Sequence, residues 1–248
     1  GIGLDFDESY MGGVARAGHG NFAFVKDASA LATFLRRELI ETSTTTVEDA
    51  VVRLSLPKGV TFVSATGADG KVSTDGNEVE LRLGSLFAGD ERRVLVELRT
   101  NLEAGDTRGF EGRASWKKVG GDLSDTSFRG LSIVATRDAH EVEAGRDGNV
   151  LASATSVVAS RRQVQAAEAY NRGDTAAAQG LIDENLRDLD AVKAIAPAAA
   201  AESLSKQMVD YKETKSGFAS AAPMSAAGKS HAKRAVEKDT ANMARKAF

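Results

Sequence analysis

The sequence predicts an α+β fold in three parts: a short strand and helix segment, an antiparallel β-sandwich, and an α-helical hairpin or bundle. Three observations predict it. The first part mixes short apolar runs with helix-like spacing, the middle alternates apolar and polar residues, and the last part is rich in Ala with apolar residues three and four positions apart. The three predicted segments are 1–42, 43–137 and 138–248.

Composition limits the classes of function. A chain of 248 residues is long enough for two or three domains of about 100 to 150 residues each. A formal net charge of -3 gives no electrostatic reason to expect a nucleic-acid partner. With no Cys, disulfides, thiolate nucleophiles and Cys-ligated zinc are excluded. No run approaches the roughly 18 apolar residues that span a membrane, so no transmembrane segment is expected.

The first segment reads as strand, helix, strand, helix. Ile2 and Leu4 resemble the end of a buried strand, and a helix is predicted over 9–17. A short strand follows over 22–25, and then Asp27 or Ser29 caps a second helix. The apolar stripe of that helix comprises Leu31, Phe34, Leu35 and Leu39. This order is typical of the end of an α/β unit.

The middle segment predicts half-buried strands, because its apolar residues alternate with polar ones. Turn-forming Gly, Asp and Asn residues separate the runs. The predicted strands are 52–56, 60–64, 79–83, 94–98, 110–116 and 131–133. Trp116 alternates with Ala114 and is predicted to lie in the sandwich core.

The last segment predicts four helices. The first begins at Asn149 or Ser153 and ends at Asn171, and the second is capped by Asp174 or Thr175 and ends at Pro197. Two further helices are predicted over roughly 198–215 and 225–246. Their apolar stripes are weaker, so we expect the last helix to be loosely held or mobile.

Several stretches resemble von Willebrand factor type A (VWA) proteins. The opening GIGLDFDESYMGGVARAGHGNFAFVKDASALATFLRREL is similar to the C-terminal end of a VWA domain. LPKGV and LGSLFAGDERRVLVELR resemble the β-region that follows VWA in many bacterial proteins, and Ala167, Tyr170, Gly173, Asp174, Ala177 and Ala178 resemble their helical tail. The resemblance implies that 1–42 is a VWA remnant and that the chain is the C-terminal portion of a bacterial VWA protein.

The resemblance also bears on cofactors. The metal site of the family uses an Asp-x-Ser-x-Ser loop, a Thr and a second Asp, all in the part of the VWA domain that would precede Gly1. A divalent cation, Mg²⁺ or Ca²⁺, is therefore expected only in that missing half. Within this chain we expect no catalytic, cofactor-binding or metal-binding residue.

Two acidic motifs allow a metal interpretation and a structural one. Asp122-Leu123-Ser124-Asp125-Thr126 spells an Asp-x-Ser-x-Thr string, but the residues before it read as a turn, which favours a hairpin. Asp5, Asp7 and Glu8 have the carboxylates that hard cations prefer. Such residues before a helix more often cap it, so capping is the favoured interpretation.

Other motifs have ordinary structural interpretations. Arg172-Gly173-Asp174 is predicted to be a turn between two helices, with Asp as the next cap. The run Lys229–Lys246 is predicted to be a solvated helical face. Gly1-Ile2-Gly3 lacks a third Gly for a dinucleotide loop. The three histidines, His19, His140 and His231, have no partners at ligand spacing.

The sequence therefore predicts a non-enzymatic, protein-binding or scaffolding region. Two alternatives stay open. The chain could be a structural subunit of an envelope or secreted assembly that self-associates through the edges of the sandwich. It could also be an accessory region of an enzyme whose catalytic domain lies upstream. The compartment stays open, with a cell-envelope or secreted location favoured over the cytoplasm.

Overall fold

The computed structural model describes residues 2–18, 22–25 and 27–244. They divide into two units, one made of Gly1–Leu35 with Asp147–Phe248 and the other of Arg36–Arg146. The first and last parts of the chain thus belong to one unit, whereas the sequence predicts them as two separate segments, 1–42 and 138–248.

Seven helices and seven strands occur among these residues. The helices are α1 Glu8–Ala17, α2 Ala28–Ser43, α3 Ala139–Ala144, α4 Gly148–Asn171, α5 Thr175–Lys193, α6 Ala198–Ser220 and α7 Ala226–Ala244. The strands are β1 Thr45–Ser55, β2 Val60–Thr66, β3 Asp69–Val72, β4 Glu78–Phe87, β5 Leu95–Thr100, β6 Thr107–Lys118 and β7 Leu123–Val134. The mixed α and β content that the sequence predicts is confirmed.

The larger sheet has five antiparallel strands in the order β3-β4-β1-β6-β7. Alternation in β1 and β4 brings apolar residues together on one face: Val52 pairs with Leu81, and Leu54 pairs with Val79. Val79 and Leu81 are buried. The charged residues between them lie on the opposite face, so one face of the sheet is apolar and the other is polar.

The smaller sheet pairs β2 with β5 and packs on part of that apolar face. Phe62 and Leu98 are among its residues that contact the buried cluster around Val79. Gly70 is one of the turn-forming residues that are predicted to separate the strands, but it lies in β3. A Cβ there would lie 2.6 Å from the Phe62 ring, so only Gly permits this approach. The sandwich over 43–137 remains an interpretation of these two sheets.

The unit made of Gly1–Leu35 and Asp147–Phe248 is called the helical unit here. In it, α4 contacts α5, α6 and α7. Small residues such as Ala152, Ala159 and Ala166 are fully buried along α4, which lets the helices approach closely. Larger side chains fill the remaining space, and the rings of Tyr170 and Phe218 stack with centroids 3.9 Å apart. Alanine content therefore marks the packed face of this helix.

Aspartate caps set the starts of two helices. Asp147 accepts hydrogen bonds from the backbone N–H groups of Asn149 and Val150, at 2.8 and 3.2 Å. Helix α4 therefore begins one residue before the earlier of its two predicted starts. Asp174 accepts from the N–H of Ala177 at 2.9 Å, which confirms the predicted cap of α5.

The segment before α1 runs parallel to the segment before α2. Ile2 forms a parallel bridge with Val25, and the N–H of Gly3 donates to the Val25 carbonyl at 3.3 Å. Within the strand predicted over 22–25, the structure assigns an isolated bridge at Val25 rather than a full strand. Phe22 and Phe24 instead place their rings 6.2 Å from the ring of Phe6.

Candidate interaction surface

Lys233 of α7 and Glu8 of α1 form a buried ion pair. Lys233 Nζ lies 2.7 Å from Glu8 Oε2, and the two side chains are 3% and 7% exposed. Nζ also donates to the Phe6 carbonyl at 2.5 Å and lies 3.8 Å from the centre of the Phe6 ring. Asn171 of α4 donates to the other oxygen of Glu8 at 2.5 Å. The pair thus anchors α1 to α4 and α7.

The solvated face predicted for Lys229–Lys246 is wrong for the first half of α7. Lys233 is buried, and Lys229 is partly buried and pairs with Asp5 at 3.0 Å. Acidic residues before and at the start of α1 supply the partners of these lysines. Lysines four residues apart project from one face of a helix, and here that face is the packed one.

A cleft of about 560 Å³ lies beside the ion pair. Its lining carries both signs of charge, with Asp5 and Glu168 as acids and Arg172 and Lys229 as bases. The ion pair between Asp5 and Lys229 already satisfies two of these groups. The mixed lining creates no field of one sign that would select an ionic ligand.

Helix α1 packs its polar and small residues inward and exposes its apolar ones. Glu8 and Gly12 are buried, and Gly12 faces Thr240 of α7. On the other side Tyr10 is 69% exposed and Val14 is 52% exposed. Globular helices normally bury the apolar stripe. The outer surface of α1, formed by Tyr10, Met11 and Val14, is therefore a candidate interaction surface.

Helix α2 also exposes apolar residues. Leu35, Leu39 and Ile40 are exposed, although the first two belong to the stripe that the sequence predicts to be buried. Leu31 and Phe34 are half-buried. An amphipathic helix of 16 residues would ordinarily bury this stripe.

A third apolar surface lies on the five-stranded sheet. A groove of about 240 Å³ is lined by residues of β1, β4 and β6 that include Val47, Leu83, Leu86 and Trp116. Trp116, predicted to lie in the sandwich core, is half-buried and borders this groove. On the neighbouring strand β7, Leu131 is exposed. The smaller sheet thus covers only part of this face.

The opposite face of this sheet carries a ladder of ion pairs. Hydrogen bonds from Arg82 and Arg53 lower the pKa of Glu80 below its ordinary value. Asp125 accepts from Arg113 at 2.9 Å, and this bond raises the pKa of the guanidinium. Such exposed pairs contribute little to stability individually. They mark this face as solvated.

The Asp-x-Ser-x-Thr string lies in the β6–β7 hairpin, as predicted. Gly120 has φ +68° in the turn, and the strand that follows begins at Leu123. Asp125 is on that strand and is paired with Arg113. An antiparallel hairpin does not supply the strand end that a VWA cation loop needs, so these residues do not fit such a site.

The other acidic motifs have structural roles. Asp7 caps α1, accepting from the N–H of Tyr10 at 2.8 Å. Gly173 has φ +87° in the turn between α4 and α5, which agrees with the helix-turn prediction for Arg172-Gly173-Asp174. In residues 2–18, 22–25 and 27–244, no three His, Asp or Glu side chains are grouped in a way that could hold a metal ion.

His140 and His231 lie in different helices. His140 is in the first turn of α3, and its N–H donates to the Asp138 cap at 2.8 Å. His231 is half-buried in α7, close to Gly217 of α6, where a Cβ would lie 2.7 Å from its Nδ1. His19 and Gly1 lie outside the described residues.

None of the described helices is long and apolar enough to cross a bilayer.

The sequence did not reveal which face of α1 is packed. The one signal was a pair of acids, Asp5 and Glu8, near the start of α1 and a pair of lysines, Lys229 and Lys233, four residues apart in α7. Acids and lysines at such short spacings are common in helical sequences, so the pairing became visible only in the structure.

Comparison with known proteins gives a fold likeness. No protein-family model matches the chain, and no curated protein matches it. A solved structure of a von Willebrand factor type A protein from Catenulispora acidiphila aligns with 99% of this chain, at a TM-score of 0.62 and 16% identity. This chain spans 57% of that protein. At this identity the likeness shows a VWA-like fold alone.

Two further solved structures align less well. The ArnB paralog VWA2 from Sulfolobus acidocaldarius aligns with 96% of this chain and 54% of its own, at a TM-score of 0.49 and 13% identity. The human COPII-coat protein Sec24c aligns with 84% of this chain and 26% of its own, at a TM-score of 0.42 and 16% identity.

Proposed function

We propose that this chain is the C-terminal portion of a bacterial VWA protein and serves as a non-catalytic protein-interaction region. The observation that supports the place of the chain within a VWA protein is the outer surface of α1, where Tyr10, Met11 and Val14 are exposed while Glu8 and Gly12 are packed. The protein-interaction role is proposed from the VWA-like fold. The occupant of this surface is the earlier part of the VWA domain.

The segment before α1 supports this interpretation. The parallel pairing of Ile2 with Val25 across an intervening helix is the connection typical of an α/β sheet. Ile2 is exposed, although parallel sheets are normally covered on both faces. Further parallel strands would cover these residues and the apolar stripe of α2.

The cation that the family resemblance implies would belong to that earlier part. The described residues supply no suitable group of ligands, so we expect residues 1–248 to bind no divalent cation tightly. Calorimetry with Mg²⁺ tests this. A stoichiometric site of micromolar affinity in residues 1–248 would contradict the proposed division of the protein.

The occupant of α1 is tested by photo-crosslinking in the protein expressed from its complete gene. A photoreactive residue at Val14 should crosslink to a segment that precedes Gly1. The matched control is Val150, which is also exposed but lies on α4, and it should give no such crosslink. Equal labelling from both positions, or a complete gene that encodes only these residues, would overturn the proposal.

A structural subunit is the second candidate, and strand β7 favours it. This strand lies at the edge of the larger sheet and exposes Leu123, Leu131 and Val134. Long exposed edges pair with other chains. Sedimentation should then show a mass that rises with concentration and falls in Leu131→Lys but not in the control Val119→Lys. A monomer at all concentrations rejects this candidate.

A further inference from the structure

Helix α7 is attached to α4 and α6 through a buried polar network. Tyr211 Oη donates to Asp239 Oδ1 at 2.7 Å, and Gln207 Nε2 donates to Tyr211 Oη at 2.8 Å. Asn242 Nδ2 donates to Ser160 Oγ at 2.8 Å. Each of the three helices therefore contributes to one connected set of hydrogen bonds.

Further hydrogen bonds of the network join two serines of α4 to Gln207 of α6. Ser156 Oγ donates to Gln207 Oε1 at 2.8 Å, and Gln207 Nε2 also donates to Ser160 Oγ at 3.1 Å. Asn242 reaches Ser156 Oγ at 3.1 Å. Asp239 is 4% exposed, and Ser156, Ser160 and Tyr211 are buried as well.

Apolar packing of α7 is slight by comparison. Among the side chains of α7 that the structure describes, the buried apolar ones are Ala232, Ala235, Val236 and Met243. Two of these four are alanines, which bury little surface. The attachment of α7 therefore depends strongly on the polar network and on the ion pair between Lys233 and Glu8.

We propose that α7 is a pH-sensitive helix, whose attachment to α4 and α6 through this buried network weakens when the Asp239 carboxyl ionises. A buried carboxyl is tolerated more easily when it is protonated, because burial penalises the charged form. Detachment of α7 would also release α1, since Lys233 links the two helices.

The groups around Asp239 set the pH of the transition. Burial raises the pKa of Asp239 from 3.8 to about 7, while hydrogen bonds from Tyr211 and Ser160 lower it. On α6 the Asp210 carboxylate raises this pKa, and on α7 Lys238 lowers it. Burial keeps the pKa of Tyr211 well above its ordinary value, so its hydroxyl stays a donor.

The remaining elements packed on α7 face it with groups that do not titrate in this range or are already paired. The network atoms of α4 are the hydroxyls of Ser156 and Ser160. Glu8 of α1 is paired with Lys233 of α7. Asp210 of α6 is paired with Lys238 of α7, at 2.5 Å. His231 of α7 also lies against α6, beside Gly217, so the variant Asp239→Asn is needed to assign a pH dependence of α7 to Asp239.

Attachment of α7 weakens as the pH rises, because the pKa of Asp239 is raised in the attached state. In the detached helix Asp239 has an ordinary pKa, so between about pH 4 and 7 only the attached state holds the proton. Attachment is most stable below pH 4, weakens about tenfold per pH unit as the pH rises, and levels off above 7. The total change is about 10³-fold in the opening equilibrium.

Hydrogen exchange of the whole chain tests the proposal. After correction for intrinsic exchange, protection of α7 amides should fall by up to about 10³-fold between pH 4 and 8. Asp239→Asn keeps the shape and an acceptor for Tyr211 and should remove this dependence. The control Glu202→Gln, at an exposed position of α6, should retain it. A flat profile in the wild type, or an unchanged slope in Asp239→Asn, would overturn the proposal.

A direct titration keeps the proposal falsifiable if Asp239→Asn fails to fold. NMR of the Asp239 carboxyl carbon in the wild type should give a midpoint near 7. In Tyr211→Phe the midpoint should move upward, because the hydrogen bond that supports the ionised form is lost. A wild-type midpoint below 5 would refute the inference.

Discussion

Lys233 Nζ lies 2.7 Å from Glu8 Oε2 and 3.8 Å from the centre of the Phe6 ring, and both side chains of the ion pair are buried. An ion pair in this setting adds little net stability, because both charges lose their hydration. It does impose a specific pairing, since neither charge tolerates burial alone. The position of α1 on α7 therefore depends on both members.

Removing one member of this pair should be severe. Lys233→Met leaves the Glu8 carboxylate buried without its cation and should cost about 3 to 5 kcal/mol of unfolding free energy. Urea denaturation of the helical unit measures this cost. The double variant Glu8→Gln with Lys233→Met should recover most of it, because Gln is neutral and still accepts from Asn171. If the double variant is as unstable as the single one, the charge argument fails.

The packed centre of the helical unit contains the stacked rings of Tyr170 and Phe218. Phe218→Ala should cost about 3 to 5 kcal/mol, because it opens a cavity beneath Tyr170. Tyr170→Phe keeps the ring and loses only the hydrogen bond from its hydroxyl to the Ala221 carbonyl, 2.7 Å away. It should cost about 1 kcal/mol in the same denaturation experiment. Similar costs for the two variants would show that the stack is not tightly packed.

Asp174 should act as the N-cap of α5. Its side chain accepts from the Ala177 N–H, so Asp174→Ala should cost about 0.5 to 2 kcal/mol. Asp174→Asn retains an oxygen acceptor and should be close to wild type. Thermal unfolding distinguishes them, and a loss of stability in Asn equal to that in Ala would argue against the cap.

Trp116 should contribute less to stability than its size suggests. Phe110 lies on the same strand and is 3% exposed, whereas Trp116 borders the open groove. Phe110→Ala should therefore cost about 3 to 5 kcal/mol and Trp116→Ala distinctly less, measured by chemical denaturation. Because Trp116 is the only Trp in the chain, its fluorescence also reports whether a partner fills the groove. A larger cost for Trp116→Ala would mean that the groove is closed.

Strands and helices with strong periodicity were predictable from the sequence. The alternation of Val52 and Leu54 predicted β1, and Asp174 marked the start of α5. Strand β3 was missed because its four residues are exposed and include Gly70, which reads as a turn. Only the close approach of Phe62 explains why Gly stands there.

Packing partners were less predictable than elements. The Leu35 and Leu39 stripe was recognised, but the sequence cannot show that the described structure leaves it exposed. Helix α7 was expected to be loosely held because large apolar residues are sparse. That remains a prediction, and the packed face of α7 contains Ala, Lys233 and Asp239, residues whose burial depends on partners distant in sequence.

The most direct test of the account concerns Val14 on the outer surface of α1. Unfolding free energy should be measured for Val14→Glu and for the control Val150→Glu, both in residues 1–248 and in the protein expressed from its complete gene. The account predicts that Val14→Glu is nearly neutral in residues 1–248 and costs several kcal/mol, about 2 to 4, in the complete protein. Val150→Glu should be nearly neutral in both. If Val14→Glu is equally neutral in the complete protein, the surface of α1 is not covered and the account is contradicted.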